Sequence, residues 1–243
     1  MNKKLIGGAL AVVAILGIAA WWFVFKDDAP EAVSVDDANA QLDEDLAAEN
    51  DVAAGFDGDI NATWIVDDEI GTFDFETASG SFAGFRVDEE LTVGAVTAVG
   101  RSGGVTGSLT IDGDALTAAE IVVDMNTIVS NDSRRERAIR NAVDASGFPT
   151  ATFTLTQPVD LPGGLADGDQ VTVDAIGDLT VKGTTNQVTF TISALVRDDG
   201  FGIVTGSADL VWEDFGVTPP SAPIVVSIAD EGVVEFQLVV AKG

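Results

Sequence analysis

Beyond residue 60, apolar and polar side chains alternate in short runs separated by turn formers. The clearest runs are Thr72-Phe73-Asp74-Phe75-Glu76, Val171-Thr172-Val173, Leu179-Thr180-Val181, Val188 to Val196, Phe201-Gly202-Ile203 and Val234 to Val240. A period of two puts one row of side chains on each face, so each run predicts an antiparallel strand with one dry and one wet side. Asp112-Gly113-Asp114, Pro162-Gly163-Gly164, Asp167-Gly168-Asp169, Lys182-Gly183, Asp198-Asp199-Gly200 and Pro219-Pro220 supply turns between them. Ala175-Ile176-Gly177 interrupts the alternation and is expected to form a glycine bulge where the sheet turns a corner. So many strands imply a sandwich or a barrel, and strong curvature favours an all-β antiparallel barrel of about eight strands.

One segment departs from the two-residue period. From Asn131 to Val143, Ala138, Ile139, Ala142 and Val143 share one arc of a helical wheel, and Arg135 falls inside that arc. The segment predicts one short helix whose Arg135 is aimed at whatever the helix covers, and charge seldom goes inside without a partner. Asp178 or Asp132 are the expected partners in a structural ion pair. The other reading has Arg135 donating to the carbonyl or phosphate of a lipid head group. Arg134, Arg137 and Arg140 are expected on the solvated face, where they form a basic patch suited to a protein partner.

The amino-terminal third is organised differently. Leu5 to Phe25 carries no charge over 21 residues, enough for a helix to span the ~30 Å of a bilayer's hydrocarbon core. With Lys3 and Lys4 ahead of it and Asp27, Asp28 and Glu31 behind Lys26, residues 1–26 read as a transmembrane anchor with the amino terminus in the cytoplasm and the remainder outside. A cleaved signal peptide, which would leave the domain secreted, is the competing reading; Ile18-Ala19-Ala20 is a poor cleavage site for it. Residues 27–59 hold twelve acidic side chains and no basic one, the composition of a solvated, flexible linker, with Val35 to Ala48 as its one helix-prone stretch. Residues 60–243 then form a single domain.

Charge and composition narrow the chemistry. A formal charge of −28 excludes nucleic acid as a partner and repels anionic head groups, so contact with the membrane falls to the amino-terminal helix. There is no cysteine, histidine or tyrosine, and residues 60–243 contain only Lys182 and Lys242 as lysines. Disulfides, thiol catalysis and ordinary histidine acid–base chemistry are thereby absent. Gly100 to Gly107 lacks the lysine-serine ending of a phosphate loop, and the Asp-Gly-Asp turns lack a calcium loop's spaced ligands. No catalytic residue, metal or cofactor is expected; hydrolysis of an envelope glycan by a carboxylate pair is the weakest reading.

An ordered set of segments completes the picture: Trp64-Ile65-Val66-Asp67, Thr72 to Phe75, Asn131 to Glu136, Phe148 to Phe153, Gly177 to Gly183 and Asp214-Phe215-Gly216-Val217. In this order they resemble the YceI-like family of exported, lipocalin-like proteins that enclose polyisoprenoid or quinone-type lipids. Gly84 to Leu91 and Val99 to Ser102 fill a long early insertion similar to that of a membrane-anchored branch. Two departures stand out: Glu69-Ile70 lies where the family often has histidine, and the helix carries Arg135-Glu136 where an arginine-aspartate pair is usual.

The resemblance implies that the inward row, Phe73, Phe75, Phe153, Leu155, Leu179, Val181, Phe190 and Ile192, together with Arg135, lines a lumen for an isoprenoid-like lipid. From the residues alone a solid core is the favoured reading of the same row, which only the resemblance reverses, and the chain would then be a tethered interaction module without a ligand.

Overall fold

The computed structural model describes residues 29–49 and 55–243. Its strands are β1 (Ala62–Val66), β2 (Phe82–Leu91), β3 (Gly94–Ser102), β4 (Val105–Asp112), β5 (Ala115–Asp124), β6 (Thr150–Leu155), β7 (Val159–Asp160), β8 (Val171–Val181), β9 (Thr184–Val196), β10 (Gly202–Val211), β11 (Val225–Ile228) and β12 (Glu231–Lys242). Two helices, α1 (Val35–Glu49) and α2 (Ser133–Ala142), accompany them where the sequence pattern predicts one in the domain and a helix-prone stretch before it.

Eight strands close an antiparallel ring in the order β1-β4-β5-β6-β8-β9-β10-β12, and β12 returns to β1 through Trp64↔Lys242, Ile65↔Ala241 and Val66↔Val240. Closure satisfies ladder groups that an open sheet would leave bare. β12 outruns β1: its residues Val233 to Gln237 pair with β2 instead. The β2–β3 hairpin therefore continues the wall where β1 ends, and a bridge from Arg101 to Val129 ties β3 to the segment after β5. Tight turns set the register, as at Lys182-Gly183, where two successive positive φ angles (51° and 75°) suit a two-residue hairpin between β8 and β9.

Alternation decides what faces inward. Ala175 and Leu179 of β8, Val188, Phe190 and Ile192 of β9, Val204, Ala208 and Leu210 of β10, and Leu238 and Val240 of β12 join one core. Trp64, Val171 and Val196 fill the end of the barrel near the β1–β12 closure, with the Trp64 indole donating to the Ile60 carbonyl at 3.0 Å.

Three expectations are corrected here. Thr72 to Glu76 is not a strand: the Asp74 carboxylate accepts the N–H of Glu76 (2.9 Å) and of Thr77 (3.3 Å), which folds the chain into a turn. Ala175-Ile176-Gly177 is not a bulge, because β8 and β9 pair without a slip from Val171↔Ala194 to Val181↔Thr184. Glycine is required at 177 for space: a Cβ there would lie 2.3 Å from Cζ of Phe153.

The third correction concerns residues 27–59, read as a flexible linker. Over 29–49 the chain packs against the barrel. Val35, Ala38 and Leu42, spaced for one helical face, are buried, with Ile203 and Val239 beneath the helix. The outward side of β10 and β12 is thus apolar at Ile203 and Val239, and even a strongly acidic helix gains by covering that patch. Ser34 Oγ accepts the Asp37 N–H (3.4 Å), and Asp36 and Asp37 meet the positive end of the helix dipole. Arg197 pins the helix to the barrel through Asp43 (2.8 Å) and Asn39, while Asp199 in its own turn holds the guanidinium in place (2.6 Å). The candidate anchor, Leu5 to Phe25, lies outside the described residues. Among those described, no helix is long and apolar enough to cross a membrane.

Candidate functional site

Inside the ring is a cavity of ≈ 210 Å³, larger than the ~150 Å³ apolar cavity that accepts benzene. Every strand of the ring except β1 contributes to its lining, and it runs to the barrel end where α2, the segment Trp212–Pro220 and β2 meet. The opposite end is stopped by the Trp64 cluster. The cavity is therefore a blind, apolar pocket with one mouth.

Its emptiness has a sequence-level cause. Phe153, Phe190 and Phe236 form a chain of ring contacts, with centroids 5.2 Å and 5.5 Å apart. Two of these rings occupy the space left by glycines of adjacent strands: a Cβ at Gly177 would meet Phe153 at 2.3 Å, and one at Gly206 would meet Phe236 at 2.4 Å. Bulkier residues at those two positions would push the rings across the lumen. Phe153, Leu155, Leu179, Val181, Phe190 and Ile192 all line the cavity, as does Arg135. Phe73 and Phe75 do not. Both sit in the turn before β2, where Phe73 lies against Gly103 and Phe82 and the Phe75 carbonyl accepts from Arg101 at 3.1 Å.

The mouth is built around α2. Asp132 caps the helix by accepting the Arg134 N–H at 2.8 Å and pairs with its guanidinium at 2.9 Å. That side-chain hydrogen bond holds the Asp132 carboxyl below the ordinary carboxylate value. Ile139 is buried at the Gly100 and Phe85 position of the hairpin, where glycine leaves room for both side chains. Trp212 donates to the Ala229 carbonyl (3.1 Å) and meets the Phe85 ring edge-on at 6.0 Å. Arg135 points into the lumen, but its partners are neither Asp178 nor Asp132. It pairs with Glu89 of β2 at 3.1 Å and donates to the Asn131 side chain. Asp132 is committed to the cap, and Asp178 lies outward on β8 between Leu179 and Gly177, both of which face in.

A YceI-like domain model matches residues 73–240, more than half of the chain and nearly the whole barrel. The chain belongs to the YceI-like family. A UPF0312 protein of Shewanella baltica is 31% identical over 148 residues, covering 56% of this chain and 74% of the relative. A UPF0312 protein of Vibrio vulnificus is 35% identical over 94 residues, 37% of this chain, and the match spans just under half, 46%, of that relative's length. Among solved structures, BcnA of Burkholderia cenocepacia shares the fold at a TM-score of 0.51 and 19% identity, covering 65% of this chain and 95% of that one. A polyisoprenoid binding domain from Saccharophagus degradans shares it at 0.55 and 16%, covering 75% and 99%.

This YceI-like barrel places its remaining expected groups as follows. Arg134 and Arg137 are exposed, whereas Arg140 turns inward to donate to the Ile128 carbonyl at 3.0 Å and lies 3.9 Å from Glu136. The helical basic face is thus reduced to two residues. Glu136, standing where aspartate is usual, accepts the Ser130 N–H at 3.4 Å. Ile70, near the place where the family often has histidine, packs at the α1 interface.

Two groups escape a reading of the sequence. Glu89 is one, with 8% of its side chain exposed. The other is a cluster on the outer wall, where Glu235 (1% exposed) lies 3.3 Å from Arg86 and 3.2 Å from Arg101. The two arginines reach onward to the backbone before α1: Arg86 donates to the Pro30 carbonyl at 2.6 Å and Arg101 to that of Glu31 at 2.8 Å. Burial lowers the Arg101 pKa, opposed by Glu235. In sequence Glu235 occupies the polar edge of an alternating strand, which reads as solvent-facing. Among the described residues no cluster of His, Cys, Asp or Glu is placed to hold a metal ion.

Proposed function

We propose that the barrel takes an isoprenoid- or quinone-like lipid into its lumen and carries, stores or protects it at the outer side of the cytoplasmic membrane, to which residues 5–25 fasten it. The blind apolar cavity carries this reading. Its walls offer continuous hydrocarbon contact and few polar groups, which suits a long, featureless tail; each buried CH₂ contributes ~0.8 kcal/mol. Family membership supports it, and so does the shared fold of the Saccharophagus degradans domain, a polyisoprenoid binder. A solid-cored docking module fits a hollow lumen poorly. Lumen contacts are assigned to Phe153, Leu155, Leu179, Val181, Phe190, Ile192 and Arg135, joined by Phe236.

The test is native mass spectrometry of the gently purified full chain, with organic extraction of any bound mass. A prenyl quinone added to stripped protein is expected to quench fluorescence from Trp212 at the mouth, and Trp212→Phe to remove most of that change. Protein that carries nothing and ignores the added quinone would overturn the reading. Protease added to spheroplasts should digest the barrel if it lies outside; a protected barrel rejects the placement.

A further inference from the structure

Among the described residues, one ionic pair, Arg135–Glu89, lines the mouth of the cavity. Of the charged residues that line the lumen, Arg135 and Glu89 face it, while the Glu235 carboxylate is turned to the other side of β12 between Arg86 and Arg101. Glu89 is more than nine-tenths buried and Arg135 more than three-quarters. Their charges cancel, so the lumen ends on a neutral pair with no spare cation. Two guanidinium nitrogens are engaged, one by Glu89 and one by Asn131. A guanidinium has five N–H donors, so further donors remain for a neutral acceptor.

A phosphorylated head group fares badly in this setting. Any phosphate oxygen that accepts from the free donors lies beside the buried Glu89 carboxylate, which already cancels the Arg135 charge and repels the newcomer; displacing Glu89 instead would leave that carboxylate buried and unpaired. The nearest additional charges on β2, Asp88 and Glu90, are also negative, and the chain as a whole carries −28. Resting on the lipid reading above, we propose that the Glu89–Arg135 pair is a specificity device: it selects prenyl lipids with an uncharged head, a carbonyl or hydroxyl that accepts from Arg135, and rejects prenyl phosphates. Glu89 acts here as a positioning residue that holds the guanidinium and cancels its charge, without becoming the ligand's main contact.

The experiment is a competition between geranylgeraniol and geranylgeranyl diphosphate, which share one tail, on the delipidated full chain in amphipol. Bound lipid is recovered by extraction and quantified by mass. Wild type is expected to retain the alcohol over the diphosphate by at least tenfold, and the near-isosteric Glu89→Gln, which frees the Arg135 charge, to bring that ratio down tenfold or invert it. Wild type that holds the diphosphate equally or better overturns the inference and leaves the lipid reading standing. Retention of neither compound defeats the lipid reading itself. If Glu89→Gln fails to fold, the wild-type ratio alone decides; if it folds and the ratio does not move, the role given to Glu89 is wrong.

Discussion

Gly206 offers the most direct way to ask whether the hollow in the barrel is what binds. It faces Phe236 across the β10–β12 ladder, and a Cβ there would sit 2.4 Å from Cζ and 2.6 Å from Cε1 of the ring. Carbon atoms rest ~3.5–4.0 Å apart, so in Gly206→Ala the ring must retreat by about 1 Å or more. Both backbones are held by their ladder, and the lumen is the open direction. Overpacking a closed core costs ~1–3 kcal/mol; a ring that can slide into a cavity should cost near the lower figure, a Tm decrease of ~2–4 °C. Binding should suffer more. If the displaced ring excludes two CH₂ groups of a tail at ~0.8 kcal/mol each, affinity falls by ~1.6 kcal/mol, or roughly 15-fold. Prenyl-quinone titration and thermal melts of Gly206→Ala, with Ser207→Ala on the opposite face as control, read both quantities. Affinity within twofold of wild type at the expected loss of stability would refute the argument.

Other perturbations reach different parts of the molecule. Leu42→Ala removes a fully buried side chain from the α1 interface and should cost ~2–4 kcal/mol, read as faster amide exchange over residues 35–49 with quinone binding retained. Glu235→Ala strands two arginines on the outer wall and should lower stability by ~3–5 kcal/mol in urea denaturation; loss of less than 1 kcal/mol would show the cluster to be well hydrated. Because Asp132 titrates below its ordinary value when folded, its contribution is present above the unfolded carboxylate pKa of ~3.9 and disappears as pH falls through the lower folded value. Asp132→Ala should cost ~1 kcal/mol near neutrality, and that difference should vanish in strong acid, as tested by melts across pH.

Much of the barrel is legible because its long strands are wet on one side. Val188 to Val196 and Val234 to Val240 keep the alternation except at Leu195 and Val239, and the structure pairs them in register with β8 and β10. The same rule misleads where a polar edge is itself covered. Glu235 and Gln237 look exposed by period, yet α1, the preceding backbone and the turn before β2 bury them; Gln237 donates to the carbonyls of Ala78 and Gly80. Thr72 to Glu76 alternates too, but Asp74 can close its own turn, and local hydrogen bonding outweighs a pattern only five residues long. Lining residues on β6, β8 and β9 are readable from alternation. Glu89 is not, since its partner Arg135 is 46 residues away in sequence and meets it only across the barrel mouth. The hollowness rests on glycines 177 and 206, whose role depends on which ring a neighbouring strand lays over them.

The docking of Pro30 and Glu31 onto Arg86 and Arg101 changes how far the barrel can roam. Thirty-three unattached residues, 27–59, could reach roughly 110–120 Å fully extended. With the chain clasped at Pro30, only residues 26–29 separate the clasp from the proposed anchor, a leash of at most ~18 Å. Arg86 lies three residues from Glu89 along β2, about 10 Å, so the clasp sits toward the open end of the barrel. A molecule tied this way would hover close over the bilayer with its aperture near the lipid, and a guest could cross between the two without a long excursion through water.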